Sequence, residues 1–473
     1  MALILIIDAV VVATLAFIAL TKGVEAALPF FVFVVVLLPW QCVFPIPGVM
    51  TVTGQRVAIV TLIALFLVFK PPANRSRALL STPLKFLLML QIGWCVLSTA
   101  NSIVPVDSLK KMSFEVVEYY LMYYILVRTI SGVKTIHRMM GAMVFAVLVA
   151  CVFGSFEAYT GWRVTSLFPY VAGRFTGVAG FTQDSRYFST FAEPSLFGAA
   201  ISFAIVEALY LLTLAKKTGR KVYLWVALLV MFLNIYKIVT RGPWLSLIIG
   251  LCLLVLVGDM ATRRRIAALA LLSVAVMVIR PGVYDTVKDL YLATTDTSNP
   301  NDIKADSFEY RFALRRVAQQ ELDKSFPREM WGYGPGSFYY LHIVAPFEGN
   351  PAYPFESCDS SWVQLMVETG YVGLLIIALL LIKPAVLAFR DWRKILRPEG
   401  YLCGILFINM LQYFFMMTNV ALYAWGQTAY MLWIWIAISM VYRRVWKEGI
   451  AEAYGAPAAE ASKEFELLPA PGF

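Results

Sequence analysis

Eight arginines fall in or beside the less apolar segments of this sequence. Arg163, Arg174 and Arg186 lie in one segment, Arg241 in the turn "VTRGPWLS", and Arg311, Arg315, Arg316 and Arg328 in another. Arginine grips two oxygens of an anionic group with a planar fork and stays charged where the dielectric is low. Arg311 and Arg315 are four apart in "SFEYRFALRRVAQQEL", which reads as a helix, so they share a face. Together such residues suit a bound anion. Singly, each is equally well a solvated arginine paired with a local acid such as Asp184, Asp306 or Glu321, and surface pairs of that kind contribute little.

A second stretch, "CDSSWVQLMVETGYVGLL", places Asp359, Ser360 and Ser361 where an apolar helix begins. Glu368, Gly370 and Gly373 follow in its first turns. Helix capping explains the short polar residues; a functional side chain at the helix mouth is the other reading. The triad of glycines in "WGYGPG", Gly332, Gly334 and Gly336, reads first as tight turns and second as backbone amides for an anion or a sugar.

The elements that must position these residues are apolar. Of 473 residues, 60% are hydrophobic and 15% charged, with a mean hydropathy of +0.72. Soluble domains carry about 25% charged residues. Runs of roughly 20 apolar residues recur, each long enough for a bilayer core of about 30 Å. The expected fold is therefore all-α, a polytopic helical membrane protein with about 12–13 spans and a large helical external loop. The spans are expected near 3–21, 26–45, 52–69, 84–102, 113–130, 139–158, 195–214, 222–239, 243–258, 266–280, 361–386, 401–421 and 425–442. The first run lacks the basic leader of a cleavable signal.

Clusters at Lys70/Arg75/Arg77, Arg128/Lys134/Arg138, Lys216–Lys221, Arg263–Arg265, Arg390–Arg397 and Arg443–Lys447 fall in alternate connections. Short cytoplasmic loops collect Lys and Arg, so these clusters and the C-terminus are expected in the cytoplasm. Lys110 and Lys111 break the scheme and suit an interfacial helix instead. The chain then divides into N-terminal spans (1–160), a first external loop (161–194), central spans (195–280), a large external loop (281–360), C-terminal spans (361–446) and a disordered tail (447–473). Loops of this length are usually functional or disordered.

The net charge of +10 follows from the cytoplasmic clusters and implies no nucleic acid. Of the six cysteines only Cys358 lies in a large external loop, which argues against a disulfide framework or a cysteine metal site. Two histidines, His137 and His342, argue against zinc, and His137 is expected on a lipid-facing cytoplasmic surface. No metal and no cofactor are expected. Glu207 and Lys237 fall within spans, where ionisable groups are costly and usually functional, though Lys237 is placed to snorkel or pair.

Four motifs resemble the O-antigen ligase and polymerase superfamily. "RYFSTFAEPSLFG" is similar to its Arg-x-x-Gly-x-Phe-x-(Asn/Glu)-Pro signature, with Ser189 at the glycine. "VTRGPWLSLIIG" resembles its Ser-Arg-Gly turn, with Thr240 for serine. "EYRFALRRVAQQEL…WGYGPGSF" resembles the arginine that precedes Gly-x-Gly-x-Gly-x-Phe, and the stretch from Cys358 resembles the closing His-Asn-x-x-Leu motif. The markers run in the family's order from about 174 to 375, and Asp359 or Ser360 stands where the family has histidine. That histidine is linked to catalysis in the ligase branch, so its absence, with the Glu193–Ser195 form of the first motif, leans toward a polysaccharide polymerase.

The resemblance implies a donor glycan on undecaprenyl diphosphate and an acceptor glycan. It also implies a bacterial inner membrane with the large loops periplasmic, and the working company of other polysaccharide assembly and export proteins. By resemblance and charge, Arg186, Arg241 and Arg311 bind the diphosphate, with Arg315 and Arg174 beside them. Three residues compete to take the acceptor proton, Glu193, Asp359 and His342, with Ser360 at the family's histidine position. Glu193 precedes a helix-starting proline, where a cap or dipole partner is the structural reading. Aromatics Tyr333, Phe338, Tyr339, Tyr340 and Trp362 suit either a membrane interface or a sugar ring. A ligase acting on lipid A core is the nearest alternative. A transporter or flippase of a lipid-linked or anionic solute is the second, although the sequence displays no repeat or broken helix of the transporter kind.

Overall fold

Each apolar run forms a helix, and the polar breaks between runs decide where the helices stop. The computed structural model describes residues 2–46, 50–69, 82–168, 187–238, 240–279, 288, 303–347, 350–355, 358–395 and 400–454. The N-terminal part holds α1 (Ala2–Lys22), α2 (Val24–Leu37), a hairpin of β1 (Val43–Ile46) and β2 (Met50–Thr53), α3 (Gly54–Val68) and α4 (Lys85–Ala100). It continues with α5 (Pro105–Glu115), a π-helical turn (Val116–Leu121), α6 (Met122–Thr129) and α7 (Val133–Thr160). The centre holds α8 (Pro194–Leu214), α9 (Thr218–Ile238), α10 (Arg241–Val257) and α11 (Met260–Ile279).

The second long connection folds as expected into helices, α12 (Ile303–Leu322) and α13 (Phe326–Trp331), and adds a hairpin of β3 (Val344–Phe347) and β4 (Asn350–Pro354). The chain then forms α14 (Ser361–Lys394), α15 (Gly400–Met416) and α16 (Gly426–Tyr454). Helix α16 runs past the expected start of the tail at 447; residues 455–473 lie outside the described residues. Among the described residues, five helices, α1, α7, α8, α9 and α14, are long and apolar enough to cross a bilayer by length and composition, and α2, α3, α4, α10 and α15 are shorter apolar helices.

One core joins the bundle, built on the fully buried Trp433, Trp435, Tyr123, Tyr413 and Phe203. Small residues let helices approach, as membrane packing requires. At Gly198 of α8 an added Cβ would lie 2.7 Å from the Pro243 ring of α10. A separate small core, centred on Leu314, Ala318, Phe338 and Phe355, holds α12 and the second hairpin against the start of α14.

The antiparallel helices gather the starts of α8, α10 and α14 and the ends of α4 and α15 at one end of the bundle. The opposite end holds the basic residues Arg443 and Arg444. There Arg444 donates to the carbonyls of Val127 and Ile130, and Arg443 lies 3.9 Å from Asp391. His137 is not on the lipid-facing surface expected for it: it is half-buried, 2.9 Å from the Tyr210 hydroxyl.

Two features were only partly legible in the sequence. Lys110 and Lys111 lie on α5, whose helix continues through the π turn into α6. Helix α14 is broken at Gly370, whose φ of 70° and ψ of −179° are not helical, so the expectation of unbroken helices fails there.

Candidate active site at the helix mouths

The break at Gly370 explains the glycine loop. A broken helix leaves carbonyls without intrahelical donors, and buried carbonyls need partners. Here Tyr333 and Gly334 donate their amides to the carbonyls of Val367 and Glu368, both at 2.9 Å. Ser98 and Trp94 of α4 donate to the carbonyls of Glu368 and Thr369 at 2.8 and 2.9 Å. Gly332, Gly334 and Gly336 all have positive φ, the left-handed conformation that glycine adopts without cost. The turn reading of the triad therefore holds, and two of the amides that an anion or sugar might have used are committed to α14.

At Gly332 a side chain has no room, because an added Cβ would sit 2.6 Å from backbone atoms of Val367, Glu368 and Gly370. Gly332→Ala is expected to cost about 2–4 kcal/mol through strain at a backbone contact that cannot give. A drop in the thermal midpoint of the purified protein by several degrees checks it, and an unchanged midpoint contradicts it.

Lys111 and Glu368 meet at this junction. Their side chains form an ion pair at 2.8 Å, with Glu368 only 2% exposed and accepting from Gln364 at 2.9 Å through its other oxygen. Glu368, near the start of α14, thus holds a lysine from another helix. Lys111 was legible only as a violation of the charge scheme. Arg328 and Arg163 are occupied likewise: Arg328 donates to the Asn101 carbonyl at 2.7 Å and lies 4.4 Å over the Tyr333 ring, and Arg163 pairs with Glu157 at 3.0 Å. Lys237 lies 3.6 Å over the ring of Tyr159, and Glu207 accepts from Asn409 and Trp435 in the core.

Beside the junction, three of the expected residues come together. Ser360 caps α14: its hydroxyl accepts from the Val363 amide at 3.4 Å and donates to the Met417 carbonyl at 3.1 Å. The cap role considered for Asp359 thus belongs to Ser360, and Asp359 is left to pair with Arg311 of α12 at 3.5 Å. Both members stay partly open, with side-chain exposures of 28% for Arg311 and 37% for Asp359.

Glu193 is the third. It occupies the N-cap position of α8 with an extended backbone, and its side chain makes no capping hydrogen bond, so of the two structural roles considered the hydrogen-bonded cap is not formed, while its position suits a dipole partner. Burial pushes its carboxyl up to about 7, the Asp359 charge adds to the rise, and Arg311 opposes it. The three groups therefore share one electrostatic site. Two carboxylates sit there in different environments, one ion-paired and one desolvated, and such pairs divide acid and base roles between them.

Arg241 opens α10, whose first turn packs against that of α8. The Gly198 face of α8 lies against Thr240 and Pro243, and Gly242 faces Met416 at the end of α15. Arg315 is exposed on α12, and His342 is exposed in the turn before β3 with a φ of 43°. Arg174 and Arg186 lie outside the described residues.

Ser189 accounts for a departure from the family pattern. Its φ is 57°, a conformation that suits glycine and costs other residues. Serine holds it through two hydrogen bonds, its amide to Glu157 at 2.9 Å and its hydroxyl to the Ala150 carbonyl at 2.6 Å.

Among the described residues no three His, Cys, Asp or Glu side chains form a group that could hold a metal. Residues 226–378 match the family model described as O-antigen ligase. That segment contains Arg241, Arg311, Ser360, Asp359 and the glycine loop, and it begins after Glu193. No curated protein matches the chain. The match covers about a third of the chain and agrees with the superfamily that its motifs resemble.

Proposed function

We propose that this chain, a carrier of the O-antigen ligase family domain, is a membrane glycosyltransferase that polymerises lipid-linked glycan repeat units. The donor is a glycan on undecaprenyl diphosphate, with its lipid in the bilayer and its sugar outside a bacterial inner membrane. The observation that carries this reading is the Arg311–Asp359 pair beside the desolvated Glu193 at the mouths of α8 and α14.

An acceptor hydroxyl attacks the anomeric carbon, the bond from that carbon to the diphosphate oxygen breaks, and the lipid diphosphate leaves with the electron pair. Glu193 takes the hydroxyl proton. Charge grows on the leaving diphosphate, so fixed cations aimed at it stabilise the transition state more than the ground state. Arg311 fills that role, with Arg241 beside it and Arg186, Arg174 and Arg315 as further contacts from the surrounding segments. Asp359 pairs with Arg311 and raises the Glu193 carboxyl; His342, exposed in its turn, has the weaker claim to the proton.

Ligation to lipid A core is the second reading, and the description of the matched family favours it. The absence of histidine at Asp359 and Ser360 favours polymerisation. The broken helix α14 is a feature that transporters share. Its freed carbonyls are covered by the glycine loop and α4, and α14 therefore offers no open backbone site to a solute.

Incubating the purified protein with a defined lipid-linked repeat unit tests the reading. A ladder of products supports polymerisation, one transfer to added lipid A core supports ligation, and no glycan transfer under either condition contradicts both. The same assay is expected to survive EDTA, because arginines supply the positive charge that a metal would bring. Loss of activity in chelator with recovery on added magnesium or manganese contradicts that expectation.

A further inference from the structure

Tyr339 sits in a short 3-10 turn, Phe338–Tyr340, between the glycine loop and β3. Its neighbours fasten the turn on both sides. Phe338 is 2% exposed in the small core that also holds Cys358 and Val363, next to Asp359. Tyr340 donates its hydroxyl to Asp107 of α5. Held between these anchors, Tyr339 remains 50% exposed.

The other aromatics of this region are used by the fold. Tyr333 is 7% exposed and donates to Glu321, and Trp362 donates to the Phe414 carbonyl at 3.3 Å. Tyr339, unlike these two rings, is left open by the fold. Burial first, then the charges of Cys358, Glu368, Glu193 and Asp359, push its hydroxyl upward. Its turn packs through Phe338 beside the segment that carries Cys358 and Asp359, while half of the Tyr339 surface stays accessible.

A pyranose has the complementary surface. One face presents C–H groups with partial positive charge, which suit the negative face of an aromatic ring. Its rim presents hydroxyls, which suit carboxylates. We propose that Tyr339 is the binding platform for a hexopyranose of the transferred glycan, stacking on its C–H face and turning its hydroxyls toward Glu193 and Asp359. The proposal deepens the lipid-linked-glycan reading above and rests on it.

Two probes separate the two claims. The full-length protein in lipid nanodiscs is titrated with undecaprenyl diphosphate and with undecaprenyl diphosphate carrying one hexose, and a thermal melt of each variant checks folding. Wild type binds both. Tyr339→Ala is expected to weaken the hexose-bearing probe about tenfold, equivalent to about 1.4 kcal/mol, and to leave the bare diphosphate within about twofold. Tyr339→Phe keeps the ring and is expected to keep the affinity for both.

Unchanged affinity of Tyr339→Ala for the hexose-bearing probe overturns the platform while leaving the donor reading intact. Equal weakening of both probes also overturns it, because the loss is then not of a sugar contact. Failure of wild type to bind either probe removes the donor reading and the platform together.

Discussion

Glu193→Gln is expected to slow glycan transfer by about a hundredfold or more while the protein reaches the membrane in normal amounts. A positioned base contributes about 10²–10⁴ in rate, and glutamine cannot take a proton. The change is nearly isosteric, and the Glu193 side chain makes no capping hydrogen bond to lose. The same assignment fixes a pH dependence. Burial holds the Glu193 carboxyl up to about 7, and a base works only when ionised. Transfer is therefore expected to fall as pH drops through about 7 and to level above it. Glu193→Gln removes this limb from whatever activity remains. A wild-type rate from Glu193→Gln, measured against protein level, would return the residue to a structural role.

The second large effect couples the neighbours. Asp359 raises the Glu193 carboxyl and Arg311 lowers it. Asp359→Asn deletes the like charge and frees Arg311 to act on Glu193, so the acid limb of the pH–rate profile is expected to move to lower pH. Arg311→Gln deletes the attraction on Glu193, so the limb moves to higher pH. Each displacement is expected on the order of one pH unit, as for a charge at close range.

The two variants also differ in rate. Arg311→Gln removes a fixed cation from the leaving diphosphate, at a cost of about 3 kcal/mol or on the order of a hundredfold. Arg311→Lys keeps the charge without the two-oxygen fork and is expected to lose most of the product as well. Displacement of both profiles in the same direction would contradict the shared site. A helix-capping role for Asp359 does not compete here, because Ser360 provides that cap.

Much of the scaffold was legible because apolar length is a local signal. Every expected span, from 3–21 to 425–442, overlaps a helix or the α5–π–α6 run, although the span expected over 26–45 stops being helical at Leu37 and gives way to β1. Arg311 and Asp359 were legible for the same reason: polar residues beside apolar runs are conspicuous. Their pairing across 48 positions was not.

The junction shows more plainly what a single sequence withholds. Lys111 and Glu368 are 257 positions apart, and nothing local in either segment names its partner. Gly370 was visible as a glycine in a helical pattern, where an isolated glycine is tolerated. That the helix breaks there follows only from the amides of Tyr333 and Gly334 arriving to satisfy its carbonyls. Among Glu193, Asp359 and His342 the choice of base also depended on burial and on distance to Arg311, both properties of the folded chain.

The central claim is that Glu193, Arg311 and Asp359 form one site that transfers glycan from a lipid diphosphate. Its most direct test is a single-turnover assay, with purified protein in excess over a radiolabelled undecaprenyl-diphosphate repeat unit and with unlabelled acceptor present. Wild type should release undecaprenyl diphosphate in step with formation of the glycosidic product, and Glu193→Gln and Arg311→Lys should bind the donor yet release almost none. Release at the wild-type rate by both variants, or by neither variant nor wild type, would contradict the account.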